Sequence, residues 1–164
     1  MKLDPGLQAR LQFLSRVVQK ESRYLQETDS RLFSDLFTTQ TIEQVETDPL
    51  LAERLDAFVS RFGRLQDTLA DKFLPALLES FAEPKSAAVE NLDRAEKLGW
   101  LESVDDWLEM RKLRNQMVHE YIEDLVILSS ALRAGHAFVP TLVQTANKFL
   151  AVVQKRMDAR SSRA

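Results

Sequence analysis

The sequence predicts an all-α protein, and three observations predict it. Apolar residues recur at three- and four-residue spacing over most of the chain. Residues that lose little freedom in a helix (Leu, Ala, Glu, Gln, Lys, Arg) fill those segments. Breakers are few, with 4 Gly and 5 Pro in 164 residues. A chain of this length, 45% hydrophobic and 29% charged, is expected to form one domain over 1–164 with a substantial core. The absence of Cys excludes a disulfide framework and a thiolate metal site. With 22 Lys plus Arg against 25 Asp plus Glu, the net charge of −3 lacks the basic excess of a general nucleic-acid binder, but it leaves room for a local positive cleft. No charged-then-apolar leader or long apolar run is evident, so the expectation is a cytoplasmic protein without a membrane span.

Taken in order, Leu7, Leu11, Leu14, Val18 and Leu25 mark a first amphipathic helix starting near Pro5, with Phe13, Val17 and Tyr24 widening its stripe. Residues 27–48 are rich in Thr, Ser, Asp and Gln and read as a loop-rich insertion with one short helix at Leu32, Phe33, Leu36 and Phe37. Asp48-Pro49 starts a long helix: the carboxylate caps free N–H groups, and the proline occupies a position whose N–H has no partner. Its apolar face runs through Leu51, Leu55, Phe58, Phe62, Leu65 and Leu69 to Phe73, Leu77 and Phe81. Pro75 should kink or split it near Leu74.

Ser86 is read as the cap of a short helix that stops at Gly99. Ser103 with Asp106 resembles a capping box for the next helix, which turns Trp107, Met110, Leu113 and Met117 to the core. A segment over 122–132, a break at Gly135-His136, a helix from about Phe138 to Met157 and a frayed tail over 159–164 complete about five to six helices. Lys155 to Arg163 reads as a solvated basic tail, and His136 has no partner at metal-ligand spacing.

The side chains with chemistry to offer gather in Arg114-Asn115-Gln116-Met117-Val118-His119-Glu120-Tyr121. A permanently charged guanidinium, an imidazole that exchanges protons near neutrality and a phenol lie within eight residues. Arg114 and His119 are five apart, roughly 140° around a continuous helix, so on one unbroken helix they do not converge. Either the helix ends between them, or each meets a residue of a second subunit. Arg111 and Lys112 beside Arg114 would make one positive cleft able to touch a nucleic-acid backbone, with a solvated helix face as the plainer reading of the three.

Trp107 through Asp124 (Trp-Leu-Glu-Met-Arg-Lys-Leu-Arg-Asn-Gln-Met-Val-His-Glu-Tyr-Ile-Glu-Asp) resembles the signature of the HEPN family of small helical proteins: Arg, often Asn next, His after a four-residue gap, and Tyr two further on. The likeness is sharpest over about residues 86 to 135. It implies an antiparallel helical bundle that pairs about a two-fold axis, bringing two motifs into one cleft. It implies a metal-independent endoribonuclease without cofactor, often the toxin of a toxin–antitoxin pair. Carried over position by position, His119 would be general acid or base in attack of the ribose 2′-hydroxyl on the adjacent phosphate, leaving a 2′,3′-cyclic phosphate and a free 5′-hydroxyl. Arg114 would bind the phosphate and stabilise its growing charge, and Asn115 would support the site by hydrogen bonding. Tyr121 resembles the AMP acceptor of members restrained by a minimal nucleotidyltransferase antitoxin.

Plainer readings stand beside this one. Arg114 could pair with Glu109 or Glu120, and Asn115 and His119 could serve only to satisfy a helix end. At the level of the whole chain the alternative is a non-catalytic module that binds a nucleotide or docks on a nucleotidyltransferase. A helical dimerisation domain without a site is a third.

Overall fold

The structure, a computed structural model, describes residues 3–34, 37–119 and 123–161. All regular structure among them is helical, and no strand occurs. The elements are α1 (Pro5–Leu32), α2 (Thr39–Glu43) with a following 3-10 turn (Gln44–Glu46), α3 (Pro49–Asp67), a π turn (Thr68–Phe73), α4 (Leu74–Ser80), α5 (Ala88–Lys97), α6 (Val104–His119) and α7 (Leu125–Ser161). Because α3, the π turn and α4 run on without a break, they form one rod. Six helices result.

Helix α1 opens where Asp4 Oδ2 accepts the Leu7 N–H at 3.0 Å, with Pro5 in the first turn. Its buried stripe is Leu11, Leu14, Val18, Ser22, Leu25, Thr28 and Leu32. That stripe carries the helix well into the stretch expected to be loop-rich. The Thr and Asp content misled there, because Thr28 and Leu32 keep the spacing and are buried against neighbours. Arg61 of α3 fastens this last part of α1, donating to Thr28 Oγ1 and, at 3.0 Å, to the Tyr24 carbonyl. Phe13 and Tyr24 do not join the stripe. Phe13 points to solvent, and Tyr24 lies under the guanidinium groups of Arg23 and Arg61. Of the short helix expected over 32–37, Leu32 belongs to α1 and Leu36 lies outside the described residues. The helix that does form in this stretch is α2, opened by reciprocal bonds between Thr38 and Thr41.

Asp48 caps α3 as expected, its Oδ1 accepting the Leu51 N–H at 3.1 Å. Near Leu74, where Pro75 is expected to act, the regular α-helix is interrupted: a π turn ends at Phe73 and α4 starts at Leu74, with helical residues running on without a gap. A proline ring collides with the carbonyl four residues back; here the chain widens first into a π turn, in which the Leu74 N–H reaches the Leu69 carbonyl five residues back. The wider turn absorbs the proline. It also keeps Leu69, Phe73, Leu74 and Leu77 fully buried on both sides of it.

Ser86 does not cap α5: Ala87 holds that position without a side-chain bond, and the first turn is exposed enough for its N–H groups to meet water. The other end follows expectation. Gly99 has φ +74°, its N–H bonds the Glu96 carbonyl, and the Trp100 N–H bonds the Ala95 carbonyl at 2.8 Å, a Schellman ending that needs a residue free of Cβ crowding. Helix α6 starts with Ser103 Oγ accepting the Asp106 N–H at 3.1 Å, while Glu96 Oε2 of α5 accepts the Val104 N–H at 2.6 Å.

The expected break at Gly135-His136 does not occur, and the two segments expected around it are one 37-residue helix, α7, which also runs through Ala159 to Ser161. Gly135 is there for packing. A Cβ on it would stand 2.4 Å from Met117 Cε and 3.6 Å from Phe58 Cε1, so its absence lets α6 and α3 close onto α7. Pro140 sits on the exposed side, where the carbonyl it leaves unbonded can take water. In length and hydropathy α7 alone would suffice to cross a membrane, which the sequence reading did not anticipate. Yet Leu128, Leu132, Val139, Leu142, Ala146 and Phe149 are spent on the core, and Arg133, Gln144, Asn147 and Lys148 face out. One apolar core takes residues from every helix, α1 packing most closely on α3 and α7, and α6 on α7 and α3.

Candidate functional site at the α3–α6 seam

Helix α6 buries Trp107, Met110, Leu113 and Met117, as their spacing predicts. That single stripe sorts the charged residues on either side of it. Arg111 and Arg114 fall on the flank facing α3. Lys112, Asn115 and His119, spaced three and four apart, are exposed on the face turned away from the core. The cluster of Arg111, Lys112 and Arg114 that looked like one positive cleft is therefore divided. The helix is continuous through His119, so it does not end between Arg114 and His119. Within one chain the two groups do not come together. Tyr121 lies outside the described residues.

Glu120 lies outside the described residues, and Arg114 pairs not with Glu109 but with Asp67 of α3. Its Nη1 and Nη2 meet Oδ1 and Oδ2 at 3.3 and 3.0 Å, a bidentate pair. Arg111 reaches Asp67 and Asp71 only at 3.9 and 3.8 Å. The approach of Arg114 across α3 depends on Gly63, one turn before Asp67: a Cβ there would lie 2.9 Å from Arg114 Nε and 3.1 Å from its Cγ. Neither Gly63 nor Asp67 was singled out in the sequence. The only signal was a glycine in the interior of an otherwise strong helix, which costs about 1 kcal/mol against alanine unless something needs the space.

In Gly63→Ala the inner atoms of the Arg114 side chain must swing off the helix. The expected result is an Arg114 Nε–H NMR signal moved to the position of a free arginine, with overall stability within about 1 kcal/mol of the parent because alanine favours the helix. An unmoved signal would show that Arg114 does not need this contact.

The pair itself lines a groove of about 270 Å³ between α3 and α6, with Val59, Ser60, Gly63, Arg64 and Asp67 on one wall and Arg114 and Val118 on the other. One residue on from Asp67, Thr68 Oγ1 donates a hydrogen bond at 3.1 Å to Glu21 of α1, whose Oε2 is buried without a partner. Burial raises the Glu21 carboxyl above its ordinary range. Asp67 adds to that, against the Thr68 bond and the charges of Arg64 and Lys72, which lower it. An acid whose folded pKa lies above its unfolded value binds more protons when folded, so its contribution to stability falls as pH rises through that window. Glu21→Gln should therefore be more stable than the parent in urea unfolding at about pH 7, and the gap should close towards about pH 4. A gap that widened on acidification would contradict this.

His136 stacks on Phe33, with ring centroids 4.2 Å apart, and its Nδ1 lies 2.7 Å from Asp29 Oδ1, a partner 107 residues away that no local spacing announces. Among the described residues no group of three His, Asp or Glu side chains converges as metal ligands do. Comparison of the chain with protein-family models, with curated proteins and with solved structures returns no match.

Proposed function

We propose that the chain is a metal-independent endoribonuclease of the HEPN type, working in the cytoplasm as a two-fold dimer. The observation that carries this reading is the four-position pattern of Arg114, Asn115, His119 and Tyr121, of which the first three ride on the last turns of one helix. Because Arg114 and His119 face roughly 140° apart on that helix, a complete site draws one group from each of two protomers. In that site His119 takes the proton of the ribose 2′-hydroxyl or returns one to the departing 5′-oxygen. The new bond joins O2′ to phosphorus, the P–O5′ bond breaks, and the products are a 2′,3′-cyclic phosphate and a 5′-hydroxyl. Arg114 holds the charge that grows on the phosphate oxygens. A nucleotidyltransferase antitoxin that adds AMP to Tyr121 would place a bulky charged group two residues from His119 and close the site.

One observation favours a second reading. The Arg114 fork is already filled by Asp67, as it would be in a non-catalytic module that binds a nucleotide or docks on a nucleotidyltransferase. Expression of the parent and of His119→Ala in a bacterial host separates the two readings. Growth arrest with RNA fragments ending in 2′,3′-cyclic phosphate, from the parent only, supports the ribonuclease. Intact RNA in both cultures, with folded protein, leaves the docking module.

A further inference from the structure

We infer that Asp67 is a built-in competitor for the phosphate that Arg114 binds: in the free protein its carboxylate fills the guanidinium, and RNA engages the site only as Asp67 gives way. The inference rests on the ribonuclease reading for Arg114 as a phosphate ligand and for RNA as the source of the phosphate.

A guanidinium has two edges that present a pair of parallel N–H donors, one between Nη1 and Nη2 and one between Nε and an Nη. In Arg114 the first edge is taken, with Nη1 and Nη2 at 3.3 and 3.0 Å from the two oxygens of Asp67. The second begins at Nε, which is crowded by the backbone of α3: a Cβ on Gly63 would stand 2.9 Å from it. A carboxylate that merely aimed the arginine would leave one edge open. Here carboxylate and phosphate, which match the same fork, compete for one edge.

Arg111, one turn back on the same flank of α6, makes the exchange feasible. It stands 3.9 Å from Oδ1 of Asp67 and 3.8 Å from Oδ2 of Asp71, too far to hydrogen-bond either. When a phosphate takes Arg114, Asp67 keeps a cation within reach, so its charge is not stranded. The side chains of Arg114 and Asp67 are 33% and 36% exposed, and the groove that both line leaves the arginine room to turn without opening the core. A pair this exposed favours the closed arrangement by only a few-fold, and a ligand that needs the open one binds more weakly by the same factor.

The test uses a labelled 2′-O-methyl RNA oligonucleotide, which has no 2′-hydroxyl to attack and so reports binding alone, followed by fluorescence anisotropy. Asp67→Asn and Asp67→Ala are each expected to bind it about fivefold more tightly than the parent, and the gain should vanish when Arg114→Ala is added to either. Asp71→Asn removes the same charge one turn further on, from a carboxylate that faces Arg111, and should change affinity by less than about twofold.

Equal binding by the Asp67 variants and the parent overturns the competitor, and weaker binding would make Asp67 a support for Arg114 instead. An equal gain in Asp71→Asn overturns it too, as does a gain that survives Arg114→Ala, or the absence of binding by the parent and both Asp67 variants alike. Cleavage of unmodified RNA is scored separately. Tighter binding by the Asp67 variants with no cleavage by any protein keeps the competitor and removes the nuclease; cleavage with binding indifferent to Asp67 does the reverse.

Discussion

Arg114→Ala and His119→Ala, co-expressed with different tags and purified as a mixed dimer, are expected to cleave RNA that neither variant cleaves alone. Each variant by itself should lose about 10²- to 10⁴-fold in rate, the usual contribution of a proton-transfer group or a charge-stabilising donor. The gain on mixing follows from the geometry of α6. The helix runs unbroken through both residues, so their roughly 140° separation is fixed and no loop movement closes it. If each complete site takes Arg114 from one protomer and His119 from the other, the mixed dimer carries one site with both groups lost and one with both intact. Its rate should reach about half that of the parent dimer. A mixed dimer as inactive as its components would sink the shared site and leave each chain to act through its own pair or not at all.

Trp107→Ala should be the most destabilising single change on α6. The side chain is 1% exposed, and it is among the largest in the core. Its removal should cost about 3–5 kcal/mol, which for a chain of this size lowers the unfolding temperature by roughly 10 °C. The indole also has a weakness: its Nε1 is buried with no hydrogen-bond partner. Trp107→Phe fills most of the same space and removes that unpaired donor, so it should lose far less than Trp107→Ala. Urea unfolding followed by circular dichroism measures both. A Trp107→Ala loss under about 1 kcal/mol would mean that α6 is held by something other than its buried stripe.

Caps and stripes were the legible part of this fold. Pro5, Asp48 and Gly99 announce helix ends through chemistry confined to one turn, and Trp107, Met110, Leu113 and Met117 announce a buried face by their spacing alone. Reading failed where a local breaker is overruled by packing. Gly135 looks like a stop, but it is a contact with Met117 and Phe58. In the candidate site the motif itself was legible and its electrostatic partner was not. Asp67 lies 47 residues from Arg114, and only the antiparallel run of α3 beside α6 brings them together. Lys112 was grouped with Arg111 and Arg114 because it is adjacent in sequence, although a helix turns roughly 100° per residue and separates them.

Helix α7 packs on α1, α2, α3, α4 and α6 along a length of about 55 Å, so no large part of the molecule is assembled without it. Its loss cannot be local. Where a protein is a set of weakly joined pieces, backbone amides exchange with deuterated water in groups of different free energy, each group opening by itself. Here the amides around Leu132, Leu142 and Phe149 should exchange only when the whole chain unfolds, and should share one free energy with the slowest amides of α1 and α3. A helix that touches nearly everything makes the molecule open as a unit.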